Sequence, residues 1–201
     1  MLKAESILRY WLGPYDINPD NWQRQTKLWY ASDPLIDNEI RERFGLTLEA
    51  AENGSHDHWQ RSTAGCLALI ILFDQFSRNL FRGSPDAYRN DKRAVGLSDE
   101  VVTSGVLPKL TVPAQLMVFH PYHHAEDLDR QERVVSLAKQ LLATSAPEWH
   151  RAIKSNLAFL ESHAAIIRQF GRFPHRNAIL GRPSTEQEIA HIRKDSRTFG
   201  Q

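Results

Sequence analysis

Apolar residues recur three and four positions apart along nearly the whole chain, and no stretch alternates cleanly over more than a few positions. That period belongs to helices. The spacing predicts a first helix over residues 2–11, stopped by Gly13-Pro14. A second begins after Asn18-Pro19-Asp20, carries Trp22, Leu28, Trp29 and Tyr30, and stops near Asp33-Pro34. A third holds Ile36, Ile40, Arg43 and Phe44 and closes at Gly45, followed by a short helix over 47–52. Over 58–81 the middle stretch CLALIILFDQF is apolar on every face, which marks the central, buried helix.

Gly83-Ser84-Pro85 breaks that helix, and Ser84-Pro85-Asp86 opens another reaching about residue 97. Pro108 and Pro113 interrupt the pattern over 107–119, after which Pro121 fits the first turn of a helix running to about residue 142. A helix over 147–170 ends at Gly171. Ser184, Thr185, Glu186 and Glu188 look like the cap and first turn of a final short helix, with a frayed tail from about residue 193. Linkers are short and no Gly/Ser-rich tract divides the chain, so residues 1–201 read as one all-α domain of antiparallel helices. No repeat of fixed period stands out.

Charge narrows the partners. Lys plus Arg total 25 against 24 for Asp plus Glu, a formal charge of +1, which speaks against nucleic-acid binding. The longest apolar run, residues 66–73, falls far short of the ~20 residues that cross a bilayer, and the N-terminus reaches Glu5 and Arg9 before any signal-like stretch. The single cysteine, Cys66, cannot form an intramolecular disulfide and suits a reducing compartment. The expectation is a soluble, cytoplasmic protein without a membrane partner; nothing in the pattern specifies an oligomeric state.

Candidate chemistry falls in three clusters. In DQFSRNLFRGSPDAYRND (74–91), Asp74 and Gln75 directly follow the apolar run, where a charge is tolerated only when paired. Asp74, Arg78 and Arg82 follow one another at four-residue spacing, so Arg78 and Arg82 call for a carboxylate (Asp74, Asp91 or Glu126) or a bound anion. The alternative is a salt-bridge network that fixes helix packing. HPYHHAEDLDRQ (120–131) combines three histidines and three acids. Metal ligation is one reading, but Pro121 pushes His120 out of helical geometry, and the acidic residues also suit a helix N-terminus. No metal and no cofactor are expected. His163 and FGRFPHRN bring Arg172, His175, Arg176 and Asn177 around a turn, either to grip an anion or to cap the preceding helix. No G-x-S-x-G, glycine-rich phosphate loop, C-x-x-C or H-E-x-x-H occurs. Most of the tryptophans lie before residue 60 at helical spacing, as core or the wall of an internal groove.

These clusters, in this order, resemble domain-of-unknown-function family 924, an uncharacterised, mainly bacterial family. The resemblance is carried by DQF-x-RNLFRG (74–83), Asp91, P-x-x-H-x-E-D (121–127), His163 and FGRFPHRN-x-x-LGR (170–182), with Phe44-Gly45 and G-x-x-x-x-W (54–59) upstream. It implies an all-helical fold similar to tetratricopeptide-like superhelices and brings no established activity. Ser77 stands where the family usually has proline and Ala125 where it usually has serine, so no mechanism can run through a hydroxyl at 125.

The residues favour a polar pocket for a small anionic ligand, with acid–base chemistry by His124 or His175. Asp74, Gln75, Arg78, Arg82, Asp91, Glu126, His163, Arg172, Arg176 and Asn177 would hold the ligand, with His124 and Glu126 meeting Arg78, Arg82, Arg172 and Arg176 around the walls of one pocket. The rival is a protein or peptide interaction module whose concave helical surface does the binding.

Overall fold

The computed structural model describes residues 3–14, 17–19 and 22–194, so Leu2 of the first predicted helix, Asp20 of the turn before the second and the tail from 195 onward lie outside the description. Among the described residues every regular element is helical. The order is α1 (Ala4–Leu12), α2 (Gln23–Tyr30), α3 (Pro34–Glu52), α4 (Thr63–Ile70), a π-helical segment (Ile71–Phe76), α5 (Ser77–Leu80), α6 (Asp91–Thr103), α7 (Val112–His124), α8 (Leu128–Thr144), α9 (His150–Phe170) and α10 (Glu186–Lys194).

The apolar run does form the centre. Residues 65–79 are all buried, because α4 packs against α1, α6 and α7 while α3 covers α5 and the π segment. Ile7, Trp11, Ile40, Phe44, Phe119 and Val134 join the same core from the surrounding helices. The α8–α9 pair lies against α7. A smaller apolar cluster of Ile166, Ile167 and Phe173 sits beneath the turn after α9. No described helix is long and apolar enough to cross a membrane.

Four boundaries differ from the sequence reading. Gly45 does not close a helix: α3 runs unbroken through it to Glu52, since buried Phe44 and Leu48 on either side outweigh a glycine cost of about 1 kcal/mol. The central helix does not start at His58. Asp57–Arg61 is a 3-10 turn, and the Ser62 hydroxyl accepts the Gly65 N–H at 3.1 Å to start α4. Gly65 is required there, because a Cβ would overlap the Trp59 carbonyl of that turn. Pro85–Tyr88 is also only a 3-10 turn, and α6 starts afresh at Asp91 and passes residue 97.

The fourth difference matters most. Pro121 lies in the last turn of α7, not the first turn of the next helix. It removes one N–H from the ladder, yet Phe119 and Tyr122 beside it are buried and hold the turn in place. Gln131, fully buried on α8, then donates to the carbonyls of His123 at 2.7 Å and Ala125 at 2.8 Å, closing the end of α7. At the C-terminal end the expected cap forms. Thr185 accepts the Glu188 N–H at 3.2 Å while Glu188 accepts the Thr185 N–H at 2.7 Å, a reciprocal capping box.

Candidate functional site

Asp74 falls inside the π-helical segment, in the middle of the most apolar helix, and none of its surface reaches solvent. π-turns within α-helices concentrate at functional positions. Both carboxylate oxygens are occupied. Oδ1 accepts from His124 Nδ1 at 2.7 Å and lies 3.1 Å from Arg78 Nη1, and Oδ2 accepts from Gln75 Nε2 at 2.5 Å. Arg78 also donates to the Asp74 carbonyl at 2.8 Å and lies 3.0 Å from Asp91. Burial works against the Arg78 charge, but Asp74 and Asp91 hold its pKa above the ordinary value. Burial raises the Asp91 carboxyl even though Arg78 pulls the other way.

With Pro121 inside α7, His120, His123 and His124 share its last turns. The His123 and His124 rings are 4.1 Å apart, His120 and His124 5.8 Å, and His123 lies 4.9 Å from His163 of α9. His120 Nδ1 donates to the Leu116 carbonyl at 2.7 Å, while His120 Nε2 and His123 Nδ1 are buried and have no partner among the described residues. Burial pushes the His123 and His124 imidazoles well below their ordinary pKa, reinforced at His123 by His124 and His163 and at His124 by Arg78. His124 is therefore neutral. Its Nδ1–H faces Asp74, which leaves Nε2 with the lone pair.

Arg176 arrives from the turn after α9, in the 3-10 turn Pro174–Arg176. It is 6% exposed, stacks between the rings of Phe173 (4.5 Å) and Tyr88 (4.8 Å), and donates to the His124 carbonyl at 2.9 Å. Among the described residues it makes no ion pair, and its Nε has no partner. Burial, then Arg78, draws its pKa down to about 10, so it remains a cation at neutral pH. Its neighbour His175 is drawn down to about 3 by burial and then by Arg176.

These groups border one cavity of about 1070 Å³. Of the residues singled out in the sequence, Gln75, Arg78, Arg82, His124, His163, His175 and Arg176 line it. Asp74 stands behind His124, and Asp91 behind Arg78. Arg82 is held by Asp37 at 2.8 Å, a partner forty-five residues away that the local sequence did not reveal. Glu126, Arg172 and Asn177 do not line the cavity, which corrects the expectation of a shared wall. Glu126 pairs with Arg182 at 2.5 Å and accepts the Phe173 N–H at 2.8 Å. Against its burial, those two bonds hold the Glu126 carboxyl below the usual range. Arg172 pairs with Glu188 at 2.7 Å, and Asn177 donates to Ser184 at 3.0 Å. These three fix the turn that presents Arg176.

The cavity also takes Asn79, His120, His123 and an aromatic wall of Trp22, Trp29, Tyr30 and Phe159, outside the ligand-binding set named from the sequence, where the histidines enter only as metal ligands and the tryptophans as core or a groove wall. With Pro121 in the last turn of a helix rather than the first, 120, 123 and 124 share a face. Trp29 is turned toward the cavity because its indole N–H donates to the Trp11 carbonyl at 2.7 Å, tying α2 to α1. No group of three or more His, Cys, Asp or Glu residues among those described is arranged to hold a metal ion.

A solved structure, that of the protein of unknown function ATU0120 from Agrobacterium tumefaciens, resembles this chain with a TM-score of 0.78 at 30% sequence identity. The match covers 95% of this chain and 97% of that one. No curated protein matches. The family model described as bacterial protein of unknown function (DUF924) matches residues 7–196, and the chain belongs to that family.

Proposed function

We propose that the cavity binds a small anionic molecule and that His124 performs acid–base chemistry on it, with Asp74 as the positioning residue. The observation that carries this reading is Arg176, a buried guanidinium on the cavity wall with no carboxylate within ion-pair distance among the described residues, Asp91 and Glu126 acting on it only from farther off. Such a cation costs several kcal/mol to bury alone. A phosphate or carboxylate entering beside it removes that cost and converts it into affinity. Arg78 lines the same wall, already balanced by Asp74 and Asp91.

His124 supplies the chemistry. Asp74 fixes the ring tautomer, so Nε2 is the atom that takes a proton, and the carboxylate stabilises the imidazolium that forms. Burial keeps the ring neutral and ready to accept before a ligand arrives. An anion seated on Arg176 offsets the positive charge that holds His124 down, which raises its basicity when the site is filled.

Calorimetric titration with inorganic phosphate, paired with thermal unfolding in its presence, tests the binding. The native protein binds and its Tm climbs with phosphate concentration. Arg176→Met keeps the side-chain bulk, removes the charge and loses both effects while the helical spectrum persists. Phosphate binding that is unchanged in Arg176→Met overturns the reading.

A further inference from the structure

We infer that the ligand is an elongated organic anion, with its charged end on Arg176 and Arg78 and a planar apolar body against Trp22, Trp29 and Tyr30. This rests on the reading of the cavity as an anion site and adds the class of molecule.

Size is the first argument. A volume of about 1070 Å³ lies just above the range of roughly 300–1,000 Å³ that takes drug-sized ligands. An inorganic anion alone would leave most of it empty.

The second argument is that the wall changes character from one end to the other. Helix α9 runs along it, contributing Ala152, Asn156, Phe159 and His163, a span of roughly 16 Å at ~1.5 Å per residue. Just before α9 begins, Trp149 meets Trp22 edge-on with centroids 5.4 Å apart, and Trp22 meets Trp29 at 4.8 Å. Toward the other end His163 lies 5.2 Å from Phe173, on which Arg176 is stacked. His120 stands between, 6.1 Å from Trp29 and 5.8 Å from His124. The tryptophans therefore gather at one end, where Glu148 and Arg151 also line the cavity, and Arg176 stands at the other, near Phe159 and stacked on Phe173.

Tyr30 is the third. The residue is 51% exposed although it borders the cavity, and its ring lies 24° from parallel with the buried His120 ring at 6.3 Å. A half-exposed aromatic face beside buried tryptophans is a surface that a ligand ring covers.

The experiment compares inorganic phosphate, acetate, phenylbutyl phosphate, phenylhexanoate and the uncharged phenylbutanol by calorimetry, on the native protein and on Tyr30→Ala. The expected result is that phenylbutyl phosphate binds about a hundredfold more tightly than inorganic phosphate, and that Tyr30→Ala narrows the difference about tenfold without changing phosphate affinity. Phenylbutanol does not bind. A larger ring-dependent gain in the phosphate pair than in the carboxylate pair identifies a phosphate head group, and the reverse a carboxylate; both support the inference. Equal affinity for phosphate and phenylbutyl phosphate overturns it and leaves the anion site standing. Phenylbutanol binding as tightly as phenylbutyl phosphate, or no binding by any probe, overturns both.

Discussion

Replacing Asp74 with alanine perturbs the most heavily constrained group in the molecule. The carboxylate is wholly inaccessible and holds three side chains from two helices: Gln75 at 2.5 Å, His124 at 2.7 Å and Arg78 at 3.1 Å. Breaking a buried pair from one side costs about 3–5 kcal/mol, because the partner charge is left in low dielectric. Arg78 keeps Asp91 at 3.0 Å, which places the ionic part at the low end. The loss of the bond from the His124 imidazole adds about 1.5–3 kcal/mol. The two contributions share one network and do not add fully, so the expected loss is about 4 kcal/mol, or roughly 8–16 °C in Tm for a chain of this size. Urea unfolding followed by far-ultraviolet circular dichroism measures it. Asp74→Asn, which keeps the shape but sets an amide N–H against donors, should lose a comparable amount. A midpoint within about 0.5 kcal/mol of the parent for both variants would refute the claim that this carboxylate organises the centre of the fold.

Gly65→Ala sets helix propensity against packing: alanine gains about 1 kcal/mol in a helix, but its Cβ meets the Trp59 backbone, which cannot rotate away. A net loss of about 1–3 kcal/mol is expected, and a Tm equal to or above the parent contradicts it. Acid should destabilise the protein early. His120, His123, His124 and His175 are held below the ordinary 6.5 by burial, so as pH falls through 6.5 the unfolded chain takes up protons that the folded one refuses. Stability is full above 6.5 and falls toward each folded value (about 3 for His175), by up to about 1.4 kcal/mol per pH unit for each histidine. A urea midpoint flat between about pH 8 and pH 5 would show that these rings are hydrated in the fold.

The helical class and the buried centre were legible because they rest on period. A run apolar on every face has nowhere to go but the core, and a carboxylate at its end must be paired, which narrows the partner of Asp74 to Arg78 or Arg82 from the sequence; the fold selects Arg78 and gives Arg82 to Asp37. The errors at Gly45 and Pro121 share one cause. Both residues were read by intrinsic preference, and at both the apolar neighbours, Phe44 and Leu48 or Phe119 and Tyr122, bury enough surface to override a local cost. The Pro121 error propagated, since a helix that starts there leaves His120 off the face it shares with His123 and His124. The π-helical turn around Asp74 has no counterpart in the hydrophobic pattern, because one extra residue per turn leaves an all-apolar run all-apolar. Long-range partners such as Asp37 for Arg82, and Arg182 for Glu126, need the fold itself to be seen.

What remains after those corrections is an uneven distribution of strain. Fully stable folds pair their buried charges, saturate their buried polar atoms and keep proline and π-turns out of helix interiors. This chain departs from each of those rules, and several departures meet on one wall: the π segment carries Asp74, Pro121 lies between His120 and His123, and among the described residues both of those rings keep an unbonded nitrogen and Arg176 is buried with no carboxylate within ion-pair distance. Elsewhere the scaffold is mixed: Arg172 and Glu188 pair across a capping box and Gln131 donates to the end of α7, yet His56 and Ser98 also bury a polar atom that has no partner among the described residues. If packing were the only demand, Glu126 would serve the fold better opposite Arg176, whose turn it already braces, than opposite Arg182. What sets the cavity wall apart is the combination of a π-turn, an in-helix proline and a buried guanidinium, and the proposed anion would offset the cost of the last of these.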